Sequence, residues 1–177
     1  MSHKSKGTQL HGWQYTGQQR PDFADEPKPG EESVWDYPRP PAIVDDHRVV
    51  RVLAFDGTVL AESNISKRVL ETASPPTFYL PVGALQTSLA PVAGSSFCEW
   101  KGQAEYFAFA DQRLAWRYAE PTQAFAELAG WFSFYPAQCQ CFVAGQNVRA
   151  QAGGFYGGWV TDEIVGPYKG ELGRSGW

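Results

Sequence analysis

Phe97-Cys98-Glu99-Trp100-Lys101-Gly102-Gln103-Ala104-Glu105-Tyr106 is the stretch from which the fold is read. Phe97 to Trp100 and Ala104 to Ala110 are strand-like runs on either side of Lys101-Gly102, and this pattern predicts a β-hairpin. A two-residue turn at Lys101-Gly102 pairs position 98 with 105 and 100 with 103 on one face, and 97 with 106 and 99 with 104 on the other. Cys98, Trp100 and Glu105 then become neighbours, and Phe107 and Phe109 continue their face. A thiol beside a carboxylate is a poor nucleophile, because the negative neighbour raises its pKa. Lys101 offsets this only if its ammonium reaches back over the turn. The plainer reading of Cys98 is a structural thiol under an aromatic face. The sharper reading makes it a ligand-contacting or catalytic candidate.

The same strand-and-turn grammar extends outward. Val49 to Phe55 and Thr58 to Glu62 flank Asp56-Gly57, whose residues both tolerate positive φ, so a second hairpin is expected. Val69 to Thr72 and Thr77 to Leu80 are short strands around Ser74-Pro75-Pro76, and Leu114 to Tyr118, Trp131 to Phe134 and Gln140 to Val143 are further strands. One short helix is expected near 122–130, where Phe125, Leu128 and Ala129 share a face, Thr122 stands at the N-cap and Gly130 at the stop. The Gly-rich end, 153–177, carries Phe155, Tyr156, Trp159, Tyr168 and Trp177 and is expected to wrap on the domain. Residues 1–31 are polar, punctuated by Pro21, Pro27, Pro29 and Gly30, and are expected to form a flexible tail. The alternative for that tail is an arm that docks through Trp13, Tyr15 and Phe23 on a partner or on the domain itself.

Composition supports a mainly β domain over 32–177. The 177 residues include 7 Trp, 8 Tyr and 11 Phe, with 18 Gly and 13 Pro, and only 19% are charged. Short aromatic strands joined by turns suit that mixture better than a helical bundle does. No apolar run approaches a membrane span, and Met1-Ser2-His3-Lys4-Ser5-Lys6 does not lead into a signal core, so a cytoplasmic protein without membrane contact is expected. A net charge of −4 gives no basic face for nucleic acid.

Several chemistries find no support in the sequence. Cys98, Cys139 and Cys141 contain no C-x-x-C pair, so neither zinc nor any other metal or cofactor is expected. His3, His11 and His47 stand beside no nucleophile motif, and there is no G-x-S-x-G, Walker A or Rossmann fingerprint. No two acids stand at i, i+2, the spacing that often holds Mg²⁺ for phosphoryl transfer. Glu71, in the apolar run Val69-Leu70-Glu71-Thr72, needs a partner if buried, with Arg48, Lys101 or a tyrosine hydroxyl as candidates. Gly166-Pro167-Tyr168-Lys169-Gly170 offers a cation and backbone amides beside aromatics, either as an anion cradle or as a turn that closes the fold.

Glu32 to Pro41, Leu70-Glu71-Thr72, Tyr79-Leu80-Pro81, Cys98 to Tyr106, Ala115-Trp116-Arg117-Tyr118 and Gly166 to Gly170 together resemble a bacterial and fungal family, domain of unknown function 427. The likeness runs from about residue 31 to 177, and Cys-x-Trp-Lys-Gly-x-Ala-x-Tyr is its most specific part. It implies a single curved antiparallel sheet similar to B-type methionine sulfoxide reductases and zinc-binding exchange-factor relatives, without their zinc knuckles or catalytic cysteines. The family's nucleotidyltransferase-like label lacks the acid pair it would need here. The function expected is binding of a small polar or anionic ligand, nucleotide-like included, in an aromatic-lined pocket of Glu71, Tyr79, Trp100, Lys101, Tyr106 and Trp116. The alternatives are a thiol-dependent enzyme using Cys98, with Glu71 as a second catalytic candidate, and a protein-interaction module using the N-terminal arm and the C-terminal wrap.

Overall fold

The computed structural model describes residues 14–154 and 156–171. Strands dominate, but they form several open sheets rather than the single curved sheet expected. Ala90–Cys98, Gly102–Phe109, Gln112–Arg117 and Phe132–Phe134 make a four-stranded antiparallel sheet, called here the hairpin sheet. Val50–Leu53, Val59–Ser63, Gln140–Val143 and Gln146–Asn147 make a second, and Ala42–Asp46, Ser66–Leu70 and Thr77–Tyr79 a third. Two-residue pairings join Glu32–Ser33 to Ile164–Val165 in parallel and Arg149–Ala150 to Trp159–Val160. An isolated bridge between Leu80, just past Thr77–Tyr79, and Phe132 links the third sheet to the hairpin sheet, and another ties Ala61 to Leu85 in the following connection. Register irregularities between Val92 and Ser95 and between Phe107 and Ala108 bend the hairpin sheet without dividing it.

A hairpin forms at Asp56-Gly57, but with a longer loop than the two residues expected: the Ala54 amide donates to the Thr58 carbonyl, only Gly57 takes positive φ, at +90°, and the Asp56 carboxylate accepts from the Thr58 amide. The hairpin around Lys101 also forms, but in a different register. Cys98 pairs with Gly102, and Ser96 with Ala104, so the loop is Glu99-Trp100-Lys101. A two-residue turn would need positive φ at both Lys101 and Gly102, and only Gly102 adopts it, at +102°. A three-residue loop closed by a left-handed glycine is the next most favourable solution. The shift is odd in count, so it exchanges the faces. Glu105 turns away from Cys98 and pairs with Arg117 at 3.0 Å, while Cys98 joins Ser96, Ala104 and Tyr106.

Two strands carry no clear sequence signal. Ala42–Asp46 ends in two acids, and Ala90–Cys98 contains Pro91 and Gly94. The second is an edge strand, the place where a sheet tolerates both residues. The short helix appears as a 3₁₀ segment, Gln123–Leu128, interrupted at Phe125. Thr122 occupies its N-cap without capping it, because its hydroxyl donates to the Trp100 carbonyl at 2.5 Å.

The hairpin sheet has two buried faces. Phe107, Ala115 and Phe134 are neighbours on one, which packs into the main core with Val50, Val52, Leu60 and Cys141. Ala104, Tyr106 and Trp116 belong to the other, packed with Val69 and Tyr79 of the three-stranded sheet. Tyr15 and Phe23 meet Trp35 edge-on at 5.5 and 5.3 Å, and the Trp35 indole donates to the Pro167 carbonyl. Trp13, His3 and His11 lie outside the described residues, as do Phe155 and Trp177. No helix of the described residues is long and apolar enough to cross a membrane.

Candidate functional site

The second face of the hairpin sheet opens into a cavity of about 410 Å³, closed on another side by the C-terminal segment. That volume lies in the range of small-molecule sites, about 300–1,000 Å³. Glu71, Tyr79, Trp100, Lys101, Tyr106 and Trp116 all line it, and so does Cys98. The register explains the convergence. Side chains at 96, 98, 104 and 106 point to one face, and Trp116 lies opposite Tyr106 on the adjacent strand.

The walls are aromatic and tightly fixed. Trp116 packs against Tyr135 with centroids 4.4 Å apart, and its indole donates to the Tyr79 hydroxyl at 3.3 Å. The Tyr106 hydroxyl donates to Ser96 Oγ at 2.5 Å. Burial pushes the Tyr118 and Tyr135 phenols up, so both stay neutral at ordinary pH and add no charge to the cavity.

Positive charge comes from three cations. Lys101 is 9% exposed, and its Nζ lies 5.7 Å from the centroid of the Tyr118 ring. Its backbone is tied down by the Thr122 amide, which donates to the Lys101 carbonyl at 3.0 Å. Burial alone would pull the ammonium down, but Tyr79, Cys98 and Glu71 around it hold it above the usual lysine value. Among the described residues it forms no ion pair. Arg113, which also lines the cavity, lies over the Tyr106 ring at 4.1 Å. Lys169 lines the C-terminal side, and burial holds its ammonium below the usual value. One neutral donor is also without a partner: Trp100 Nε1 is buried and makes no hydrogen bond.

Glu71 pairs with none of the partners expected for it. Arg39 Nη1 donates to its Oε1 at 2.9 Å, and Arg39 Nη2 reaches Glu99 at 3.1 Å. Arg39 lies 32 residues before Glu71 in a proline-rich run, and no local periodicity links the two. Arg113, Tyr118 and Tyr135 were likewise not singled out: Arg113 stands three residues before Trp116, a spacing that predicts opposite faces, and only the register shift between Phe107 and Ala108 sets it opposite Ala108, on the Tyr106 face. Cys139 and Cys141 are buried together with sulfurs 3.9 Å apart, away from Cys98 in the main core. Among the described residues no group of three or more His, Cys, Asp or Glu could hold a metal ion.

The family model described as domain of unknown function 427 matches residues 42–145, more than half of the chain. The protein belongs to that family. The DUF427 match contains the Lys101 loop, Glu71, Tyr79, Arg113, Trp116 and Tyr135. Arg39, Tyr156 and Lys169 lie outside the matched DUF427 span. No curated protein matches the sequence.

Proposed function

We propose that the cavity binds a small anionic ligand with a flat apolar part. The observation that carries this reading is the buried Lys101 ammonium, which lacks a carboxylate partner among the described residues and stands beside the unpaired donor of Trp100. The surroundings keep Lys101 charged, so a cation stands ready for an incoming anion, while the buried N–H of Trp100 costs free energy until an acceptor arrives. Aromatic walls from Trp100, Tyr106, Trp116 and Tyr135 suit a ring or a nucleobase-like plane, and Arg113 and Lys169 favour a second acidic group. Phenyl phosphate and nucleoside monophosphates are suitable probes. Both should quench tryptophan fluorescence and raise Tm in the native protein, and Lys101→Met should abolish the effect. Equal responses of the native protein and Lys101→Met, or none in either, would sink the reading.

A second reading rests on the proximity of the Lys101 ammonium to the Cys98 thiol at the cavity wall. The ammonium can position the sulfur for attack on an electrophilic carbon and offset negative charge beside it. In this reading Cys98 is the nucleophile of a thiol-dependent transfer reaction, and Glu71 orients the reacting group. Alkylation of Cys98 by iodoacetamide should be faster at pH 7 than that of an unstructured cysteine peptide, and slower in Lys101→Met. An inert Cys98 would remove this reading.

A further inference from the structure

We infer that Arg39, which does not itself line the cavity, sets the cavity's charge selectivity by taking up Glu71 and Glu99. Two carboxylates stand at the cavity, Glu71 and Glu99, against the three cations Lys101, Arg113 and Lys169. A carboxylate seated on Lys101 would satisfy the ammonium internally and leave little attraction for an anion. Instead both carboxylates are held by one guanidinium, Glu71 at 2.9 Å and Glu99 at 3.1 Å.

The Arg39 side chain is 13% exposed and that of Glu71 25%, so their contact is sheltered, whereas Glu99 is open to solvent. Glu71 is therefore the carboxylate whose commitment matters. The guanidinium also lies 5.4 Å from the centroid of the Trp100 ring, whose Nε1 is the buried unpaired donor. One planar fork thus restrains an indole while dividing two acids from the cavity's lysine. A lysine could not do this, because a single ammonium presents neither the fork nor the flat face. Pro38 and Pro40 on either side restrict the backbone that presents Arg39. Without the guanidinium, Glu71 still lines the same cavity as Lys101 and Lys169, and both ammonium groups feel its field.

Cys98 supplies a built-in reporter of that field. It lines the cavity, while Cys139 and Cys141 are at most 1% exposed. Iodoacetate and iodoacetamide deliver the same electrophilic carbon with and without a negative charge. Their rate ratio at Cys98, followed site by site by mass spectrometry, therefore cancels the intrinsic reactivity of the thiol and reports local potential. Arg39→Gln should lower the ratio about fivefold at low salt. Adding Glu71→Gln to Arg39→Gln removes the matched pair and should restore most of the ratio. If Arg39→Gln alone does not fold, Arg39→Lys should lower the ratio by about twofold, because one ammonium cannot serve both carboxylates. A ratio unchanged in the folded single variant, or not recovered in the double variant, overturns the inference. The inference rests on the anion-site reading for its meaning, yet the two fail separately. A native protein that binds phenyl phosphate while Arg39→Gln keeps its ratio refutes only the role of Arg39. A native protein that binds no anion while the ratio shifts as stated refutes only the ligand reading.

Discussion

Trp100 shows how a single atom can separate stability from function. Its Nε1 is buried without a partner, so in the free protein it contributes a desolvation cost and no compensating bond. Trp100→Phe keeps an aromatic wall and deletes the donor. The expected result is roughly 10- to 100-fold weaker binding of phenyl phosphate with Tm unchanged or slightly raised, since a hydrogen bond to a charged group contributes about 1.5–3 kcal/mol. Isothermal titration and a thermal melt of the same preparation check both halves. Glu71 teaches the complementary lesson. Its place in an apolar run marked it as needing a partner, and it has one, but Arg39 was invisible to any rule based on spacing. Lys101 was legible as a cation in a turn, whereas its burial depends on the Thr122 tether and on the inward face of the loop.

Among the elements, the Glu99-Trp100-Lys101 loop matters most, because its length selects which residues share the cavity face. A pattern of alternating apolar positions indicates that a hairpin exists, but the difference between a two- and a three-residue loop rests on φ at one residue. The strand Ala42–Asp46 was hidden for another reason: its last acid is buried inside an ion network. Asp46 accepts from Arg48 at 2.7 Å and approaches Arg68 at 3.3 Å, while Arg48 and Arg68 also hold Glu163 and Glu32. Burial pushes the Asp46 carboxyl up, but hydrogen bonds from Arg48 and the charges of Arg48 and Arg68 outweigh it and hold it below the ordinary value. A depressed folded pKa means that the unfolded chain takes up the proton first. The stabilisation is therefore complete above the unfolded carboxylate range of about 4 and is lost as pH falls through the lower folded value. Asp46→Asn should cost about 2–3 kcal/mol at pH 7, and its deficit should narrow below about pH 4. Urea unfolding of both proteins at pH 7 and pH 3.5 measures this.

Across the whole molecule, the C-terminal segment closes the site. Trp159 stacks on Phe78 at 4.9 Å and donates to the Phe134 carbonyl, which anchors the segment to the main core. Just before it, Gly157 passes so close to Trp116 that an added Cβ would overlap the indole ring. That ring cannot yield easily, being packed on Tyr135 and bonded to Tyr79. Gly157→Ala should destabilise the fold by about 1–3 kcal/mol, shift the tryptophan emission and weaken aryl-anion binding, as read by urea melts and phenyl phosphate titration. At the other end, residues 14–31 lie against the domain through Tyr15 and Phe23 on Trp35, and the Asp25 amide donates to the Gly166 carbonyl at 2.9 Å.

Local chemistry was enough to assign a strand-rich class, to place hairpins at Asp56-Gly57 and around Lys101, and to pick aromatic and charged residues that meet at one cavity. Those properties follow from β-branched and aromatic runs and from glycines that accept positive φ, all of which act over a few neighbouring residues. Register, the splitting into several sheets, the pairing of Arg39 with Glu71 and the approach of Gly157 to Trp116 belong to the assembled chain. They turn on a single residue's backbone angle or on contacts between distant segments, and the energy of such contacts exists only once the strands have come together.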